Sequence, residues 1–332
     1  MNRFVRYVFA ELLCARLLCA RLLRAQPART PLSCTHLSRT RLSQARLSQA
    51  RFLLARYLLA SMLLLAHAAA FGGAAPAKPL HYQPSDTIVV LGAVPQEITI
   101  FTDAMGKPSK KELWGIPYYE GTVSGKKVVV AITGVGKTFT GMTSTLFITQ
   151  FKPRLVLMSG TGARINRSLR TGDVIVATVM HEHDYGSLTP NGMVYMPLHG
   201  PVNGNEVENA FSPPAELLAL ADKAVASYKG PEVTANGSTY NVTARRGVVS
   251  SSDLFGVTSE RIEVLRNHFK TDIMEMESAP LAHVCEALGV PFLVVRAGSN
   301  VAQEAPNDDY LRLGPIAAKE AAKFSVHLLN YL

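Results

Sequence analysis

Beyond residue 34 this 332-residue chain contains one cysteine, Cys285, because Cys14, Cys19 and Cys34 all lie near the N-terminus. The larger part of the chain therefore has no internal disulfide and must be stable through its core, for which about 250 residues suffice. Cys285 falls inside an apolar helical pattern and reads as buried filler, not as a nucleophile. Carboxylates are as scarce at the start: residues 1–84 hold eleven arginines and one lysine against the single acid Glu11. Of the 34 basic and 25 acidic residues in the chain, 22 and 24 remain for the rest, which is close to neutral. The net charge of +9 is thus a property of the leader, and nucleic-acid binding by the folded part has no support. Long apolar runs are missing too, since none reaches the roughly twenty residues of a membrane-spanning helix.

The leader does contain a five-residue register, in Cys14 Ala15 Arg16 Leu17 Leu18, Cys19 Ala20 Arg21 Leu22 Leu23, Arg39 Thr40 Arg41 Leu42 Ser43 and Gln44 Ala45 Arg46 Leu47 Ser48. A pentapeptide solenoid could use such leucines, but its coils must stack and be capped to bury a core. A translated tandem repeat, or a start codon placed too early, is the simpler reading, and residues 1–50 are expected not to fold. In residues 51–77, Arg51 and Arg56 precede an apolar run from Tyr57 to Ala70 with small residues at Ala66, Ala68 and Ala70. That layout describes a secretory signal. Cleavage is expected between Ala68 and Ala77, with an uncleaved anchor as the alternative. The mature protein is expected to be periplasmic or secreted and to meet a membrane only through this signal.

Over residues 85–332, short apolar runs alternate with helical stretches, the pattern of an α/β domain. Strands are expected at Thr87 to Leu91, Lys127 to Ile132, Leu155 to Ser159, Asp173 to His181, Gly247 to Ser251 and Pro291 to Ala297. Most are near-continuous β-branched runs, as in strands covered on both faces. Helices are expected at Thr138 to Phe151, Pro214 to Tyr228, Ser259 to His268, Ser278 to Leu288 and Gly314 to Leu332. Tyr185 to Pro213 has no period and reads as a binding or interface loop.

Polar residues gather where the strands end, which is where ligands bind in α/β sheets. Thr133 Gly134 Val135 Gly136 Lys137 Thr138 resembles a phosphate loop but has Ala131 where that motif needs its first glycine. The Gly134 to Lys137 turn could still aim helix-start amides at a ligand. Ser159 Gly160 Thr161 Gly162 Ala163 can bring backbone amides close to a ligand. Glu97 reads alone as a first-turn helix carboxylate, and His183 and Asp184 follow another strand. Asp253 reads as a cap, Phe255 as core or a stacking platform, and Arg164, Arg167 and Arg170 as loop charges. Glu275 reads as a carboxylate opening a helix. Val294 to Ala297 is an apolar strand that ends at Ser299 and Asn300.

Taken in order, Gly92 Ala93 with Glu97, Gly134 x Gly136 Lys137, Gly172 Asp173 Val174, His183 Asp184, Ser251 to Phe255, Glu275 Met276 Glu277 and Val295 Arg296 Ala297 x Ser299 resemble the nucleoside phosphorylase superfamily. Within it the likeness is to the 5′-methylthioadenosine/S-adenosylhomocysteine nucleosidases, over roughly Thr87 to Leu332. The resemblance implies a single three-layer α/β domain with a central mixed sheet flanked by helices. It also implies a homodimer, and hydrolysis of the bond between ribose and purine with neither metal nor organic cofactor. Such a reaction builds positive charge on the sugar and negative charge on the departing base, so a carboxylate and a donor must flank the bond.

By the same resemblance Glu97 activates water, Glu277 grips the ribose hydroxyls over Met276, and Phe255 stacks on the base beside the backbone of Gly256. Thr161 lines the substrate site, Ser299 stands beside the general acid, and Phe211 reaches the partner subunit's pocket. The departure is Asn300, where these nucleosidases carry the aspartic acid that protonates purine N7. An amide copies the shape of that acid and cannot hand over a proton. Phosphorylases of 6-oxopurine nucleosides use an asparagine there, so a changed base preference stays open, as do phosphorolysis and a binding protein without turnover. Phosphorolysis is disfavoured because Leu157 Met158 Ser159 stand where bacterial-type phosphorylases place a phosphate-binding arginine.

Overall fold

The structure is a computed structural model that describes residues 82–190, 192–200 and 206–332. The expected leader (1–50) and export signal (51–77) lie outside the described residues. The described residues form one compact unit. No helix among the described residues is long and apolar enough to cross a membrane.

A nine-stranded mixed sheet runs through the unit in the order β14-β13-β6-β15-β5-β1-β4-β3-β2. Its centre is β1 (Ser85–Gly92), β4 (Lys126–Ile132), β5 (Pro153–Arg164) and β15 (Phe292–Val301), with β4 and β5 parallel to β1 and β15 parallel to β5. Next come β6 (Val174–Glu182), antiparallel to β15, then β13 (Ala244–Ser251) and β14 (Ile273–Glu275). β14 also pairs antiparallel with β5 through Ile273 and Met274, so that half of the sheet curls back on itself. β2 (Ser109–Leu113) and β3 (Ile116–Val123) form an antiparallel hairpin at the other edge.

Alternation along the strands builds the layers. Val89, Leu91, Val129, Ala131, Val156 and Met158 face one side, against Phe147 of α2 (Lys137–Phe151) and Leu281 of α5 (Ser278–Leu288). Ile88, Val90, Val128, Val130, Leu155 and Leu157 face the other. There they pack on Phe101 of α1 (Pro95–Ala104), Ala221 of α3 (Ala215–Ser227), and Ala317 and Phe324 of α6 (Asn307–Leu328). The three-layer α/β domain expected from the sequence is the fold observed. Cys285 is fully buried in the first of these layers, as read from its apolar setting.

The differences have local causes. The edge hairpin β2–β3 was not expected because most of its residues are exposed or half-buried and carry little apolar signal. α6 begins seven residues before the expected Gly314, because Pro315 reads as a helix start and lies inside the helix instead. Two acids in its first turn, Asp308 and Asp309, complement the helix dipole. The irregular segment after β6 holds two short strand pairs, β7 (Gly186–Thr189) with β8 (Gly192–Tyr195) and β9 (Leu198–His199) with β10 (Glu206–Val207). Pro231 to Tyr240 is largely a hairpin of β11 (Glu232–Ala235) and β12 (Ser238–Asn241). Helix α4 (Ser259–Asn267) falls where expected, capped by the Thr258 hydroxyl.

His183, just past β6, is fully buried with no partner for either ring nitrogen. Burial, with Arg261 nearby, lowers its pKa from 6.5 to about 4. The folded state therefore holds the ring neutral, and its contribution to stability is complete above pH 6.5 and lost as pH falls toward 4. Unfolding in urea is expected to lose about 3 kcal/mol of stability from this group across that window. In His183→Leu that part of the pH dependence should flatten, and an unchanged slope would contradict the assignment.

Candidate active site

The carboxyl ends of β1, β5, β14 and β15 converge on one cavity. It is lined by Glu97, Thr161, Phe255, Met276, Glu277, Ser299 and Asn300, together with Leu254, Glu275 and Tyr310. Seven of the nine residues expected at the site are thus brought together. Gly256 sits beside Phe255 but packs on the carbonyl of Glu304, where a Cβ would come within 2.3 Å. Phe211 is not brought here. Its ring is buried and stacked on His283 at 4.9 Å, and its backbone pairs with Met180.

Glu97 is placed by α1, whose Pro95 presets the first helical turn. One carboxylate oxygen accepts the Ala93 N–H at 2.7 Å, and the other accepts the Thr161 N–H at 2.8 Å and the Thr161 hydroxyl at 3.1 Å. Burial raises its pKa against the opposing pull of Arg296 and these three hydrogen bonds. Gly160 is required beside it: a Cβ would meet Arg296 Nη1 at 2.2 Å and Glu97 Oε1 at 2.8 Å.

Glu275 and Glu277 divide two tasks between neighbouring carboxylates. Glu275 ends β14 and turns back to accept the Glu277 and Ser278 N–H groups, each at 2.9 Å, so it caps α5. Its other partners are the Ser251 hydroxyl and the Arg296 guanidinium. Glu277, at the N-cap position, is thereby left to face the cavity. It accepts the Gly136 N–H at 2.9 Å and lies 3.3 Å from Arg296 Nη2. Burial raises its pKa, and the nearby Glu275 and Glu97 charges add to that rise.

The Gly134–Gly136 turn supplies this contact because Gly136 has φ +95, a conformation that side chains avoid. The start of α2 is occupied by carboxylates: the Lys137 N–H donates to Asp253, and Lys137 Nζ pairs with Glu182 at 3.1 Å and Asp184 at 2.8 Å. The lysine and the first amide of the helix thus have protein carboxylates as partners.

Arg296 joins the carboxylates. It is fully buried and sits among Glu97, Glu275 and Glu277, with Nε donating to the Ser278 hydroxyl at 3.0 Å. The sequence reading gave this arginine no role. The available signal was a charge inside the apolar run Val294, Val295, Ala297, since a buried guanidinium must be paired. Arg296→Met is expected to lower stability by about 3–5 kcal/mol because it leaves carboxylates buried without their counter-charge. Urea denaturation measures this, and a loss under about 1 kcal/mol would contradict the hub role.

At the far end Asn300 is 2 % exposed. Its Nδ2 donates to the Val301 carbonyl at 2.9 Å, and its Oδ1 lies 3.0 Å from the Ser299 hydroxyl. An amide nitrogen has two protons, so one remains for a ligand. Asn300 and Ser299 lie inside β15, not beyond it, where the register with β5 shifts between Gly298 and Val301. Phe255, 43 % exposed, meets Tyr310 edge-to-face at 5.5 Å. Tyr310 was missed because the sequence placed the start of α6 after it.

Buried carboxylates at one end, an amide donor at the other and an aromatic face between them define a site for cleaving or holding an N-glycosidic bond. The family model described as phosphorylase superfamily matches residues 87–330, and the chain belongs to that superfamily. A 5′-methylthioadenosine/S-adenosylhomocysteine nucleosidase of Actinobacillus succinogenes is 30% identical over 246 residues, 74% of this chain and 99% of that protein. Among solved structures, the Neisseria meningitidis nucleosidase of that name, in complex with methylthio-immucillin-A, is 26% identical with a TM-score of 0.64 over 75% of this chain and 100% of its own. An aspartate-to-asparagine mutant of the Helicobacter pylori enzyme, with 5′-methylthioadenosine in the active site, is 28% identical with a TM-score of 0.63 over the same shares.

Proposed function

We propose that this protein is a nucleosidase that hydrolyses the N-glycosidic bond of purine nucleosides such as 5′-methylthioadenosine or S-adenosylhomocysteine and releases the base. The observation that carries this reading is the cavity that joins Glu97 and Glu277 to Asn300 with no lysine or arginine among its described lining residues. Glu97 orients the attacking water, Glu277 holds the ribose hydroxyls with Met276 beneath the sugar, Phe255 stacks on the base, and Asn300 beside Ser299 steadies the purine as it leaves. Thr161 holds Glu97 in place. Phosphorolysis would need a phosphate-binding cation, and Arg296 is already committed to three acids.

A second reading, a nucleoside-binding protein with slow turnover, is favoured by Asn300. The Helicobacter pylori asparagine mutant with 5′-methylthioadenosine in its active site supports the idea that such an exchange leaves binding intact. Incubation with adenosine, inosine, 5′-methylthioadenosine and S-adenosylhomocysteine, with assay of free base, separates the two. Binding without base release from any of them would defeat the enzyme reading.

The export signal is proposed to deliver the domain outside the cytoplasm. A homodimer is proposed as well. Leu188, Val194 and Met196 around the β7–β8 hairpin are exposed apolar side chains that a second subunit would cover. Sedimentation of the purified chain measures the dimer directly.

A further inference from the structure

Lys137, Asp184 and Asp253 have no role in holding water, ribose or base, yet they adjoin residues that line the cavity. Asp253 precedes Leu254 and Phe255, and Lys137 lies two residues after Val135. β6 and β13 run side by side with Glu182 opposite Ser251, and each is followed two residues past its end by an aspartate, Asp184 and Asp253. Their contacts close a cycle. Lys137 Nζ donates to Asp184 Oδ1 at 2.8 Å, the Asp253 N–H donates to Asp184 Oδ2 at 3.0 Å, and the Lys137 N–H donates to Asp253 Oδ1 at 2.8 Å. Glu182 adds a second acid to Lys137 Nζ at 3.1 Å. The lysine and Asp184 side chains are only 22% and 18% exposed, so these charge-assisted bonds are stronger than a solvated surface pair.

The cycle reaches the cavity on both sides. One residue before Lys137, the Gly136 N–H donates to Glu277 at 2.9 Å, and a Cβ on Gly136 would come within 2.9 Å of Asp253 Oδ1. On the other side Asp253 leads into Leu254 and Phe255, with the Leu254 N–H turned back to the Ser252 hydroxyl at 3.2 Å. Consecutive amides of one turn therefore hold the Glu277 carboxylate and the residue that anchors the aromatic loop. Movement at either contact is passed to the other.

We propose that Lys137, Asp184 and Asp253 form a clasp of positioning residues that fixes the Phe255 face relative to the Glu277 carboxylate, so that base and sugar contacts are presented as one preformed unit. Such preorganisation strengthens binding by removing the cost of ordering the loop when the ligand arrives. The effect on nucleoside affinity rests on the nucleosidase reading. The clasp does not, and it is tested separately.

Asp253→Ala removes the acceptor for the Lys137 N–H, whereas Asp253→Asn keeps an oxygen in its place. Amide hydrogen exchange followed by NMR reads the clasp without any ligand. The Gly136 amide is expected to exchange about 10-fold faster in Asp253→Ala and within about 3-fold of wild type in Asp253→Asn. The amide of Val129, in the middle of β4 between β1 and β3, should not change. An unmoved Gly136 amide would overturn the proposal, and so would equal acceleration at Val129, which reports loss of overall stability. In kinetics with 5′-methylthioadenosine, Asp253→Ala should raise KM roughly 3- to 10-fold with kcat within about 2-fold, since the contacts it loosens are made to ground state and transition state alike. A KM equal to that of the wild type would overturn it. Asp184→Ala combined with Asp253→Ala should cost no more than the larger single effect, because both open the same cycle, and full additivity would contradict it. If the wild type binds no nucleoside while the Gly136 amide still responds, the nucleosidase reading fails and the clasp stands.

Discussion

Replacing Glu97 by glutamine is expected to lower base release by about 10²- to 10⁴-fold while nucleoside binding changes little. The amide keeps the size of the side chain, and its oxygen can still accept the Thr161 N–H, now made at 2.8 Å. What is lost is the charge and the capacity to take a proton from water. Glu97 must be ionised to act, so the rate rises with pH through its pKa. Because burial raises that pKa, the acid limb should lie above the ordinary carboxylate range. Steady-state assays of free base decide the matter. A variant that keeps a tenth or more of wild-type kcat would remove Glu97 from the chemistry.

Asn300→Asp should act in the opposite direction, raising the rate on 6-aminopurine nucleosides by up to about 10²- to 10⁴-fold. The leaving purine anion is a poor leaving group until N7 is protonated or strongly hydrogen-bonded. Asn300 offers one N–H, since the other is held by the Val301 carbonyl. An aspartic acid in this buried place, 2 % exposed, would be biased by desolvation toward its protonated form and could transfer that proton. Inosine, whose oxygen at C6 already accepts from an amide, should gain less. If the variant gains nothing on adenosine or 5′-methylthioadenosine, the missing acid is not what limits this protein.

Much of the fold was legible because central strands declare themselves. Ile88 to Leu91 and Phe292 to Val295 are apolar without interruption, and both lie in strands buried on both faces. The hairpin β2–β3 was not legible, since an edge needs few apolar residues. In the site, Glu97, Glu277 and Asn300 could be placed because Gly92 Ala93 with Glu97, Glu275 Met276 Glu277 and the run from Val295 to Ser299 carry the family resemblance. Glu275 was read as opening a helix and instead closes a strand, from which it caps that helix two residues later. Arg296 and Tyr310 needed coordinates. The arginine's three acids lie 19 to about 200 residues away in sequence and meet only when β1, β14 and β15 are packed. The tyrosine reaches the cavity only because α6 runs through Pro315.

The central claim is hydrolysis at a site with carboxylates and no phosphate cradle. It is tested most directly by incubating the purified chain with 5′-methylthioadenosine in phosphate-free buffer made with heavy-oxygen water, then analysing the sugar product. The account predicts free adenine and a ribose that carries the heavy oxygen at its anomeric carbon, at a rate unaffected by added phosphate. Base release that requires phosphate and yields a sugar phosphate would contradict it.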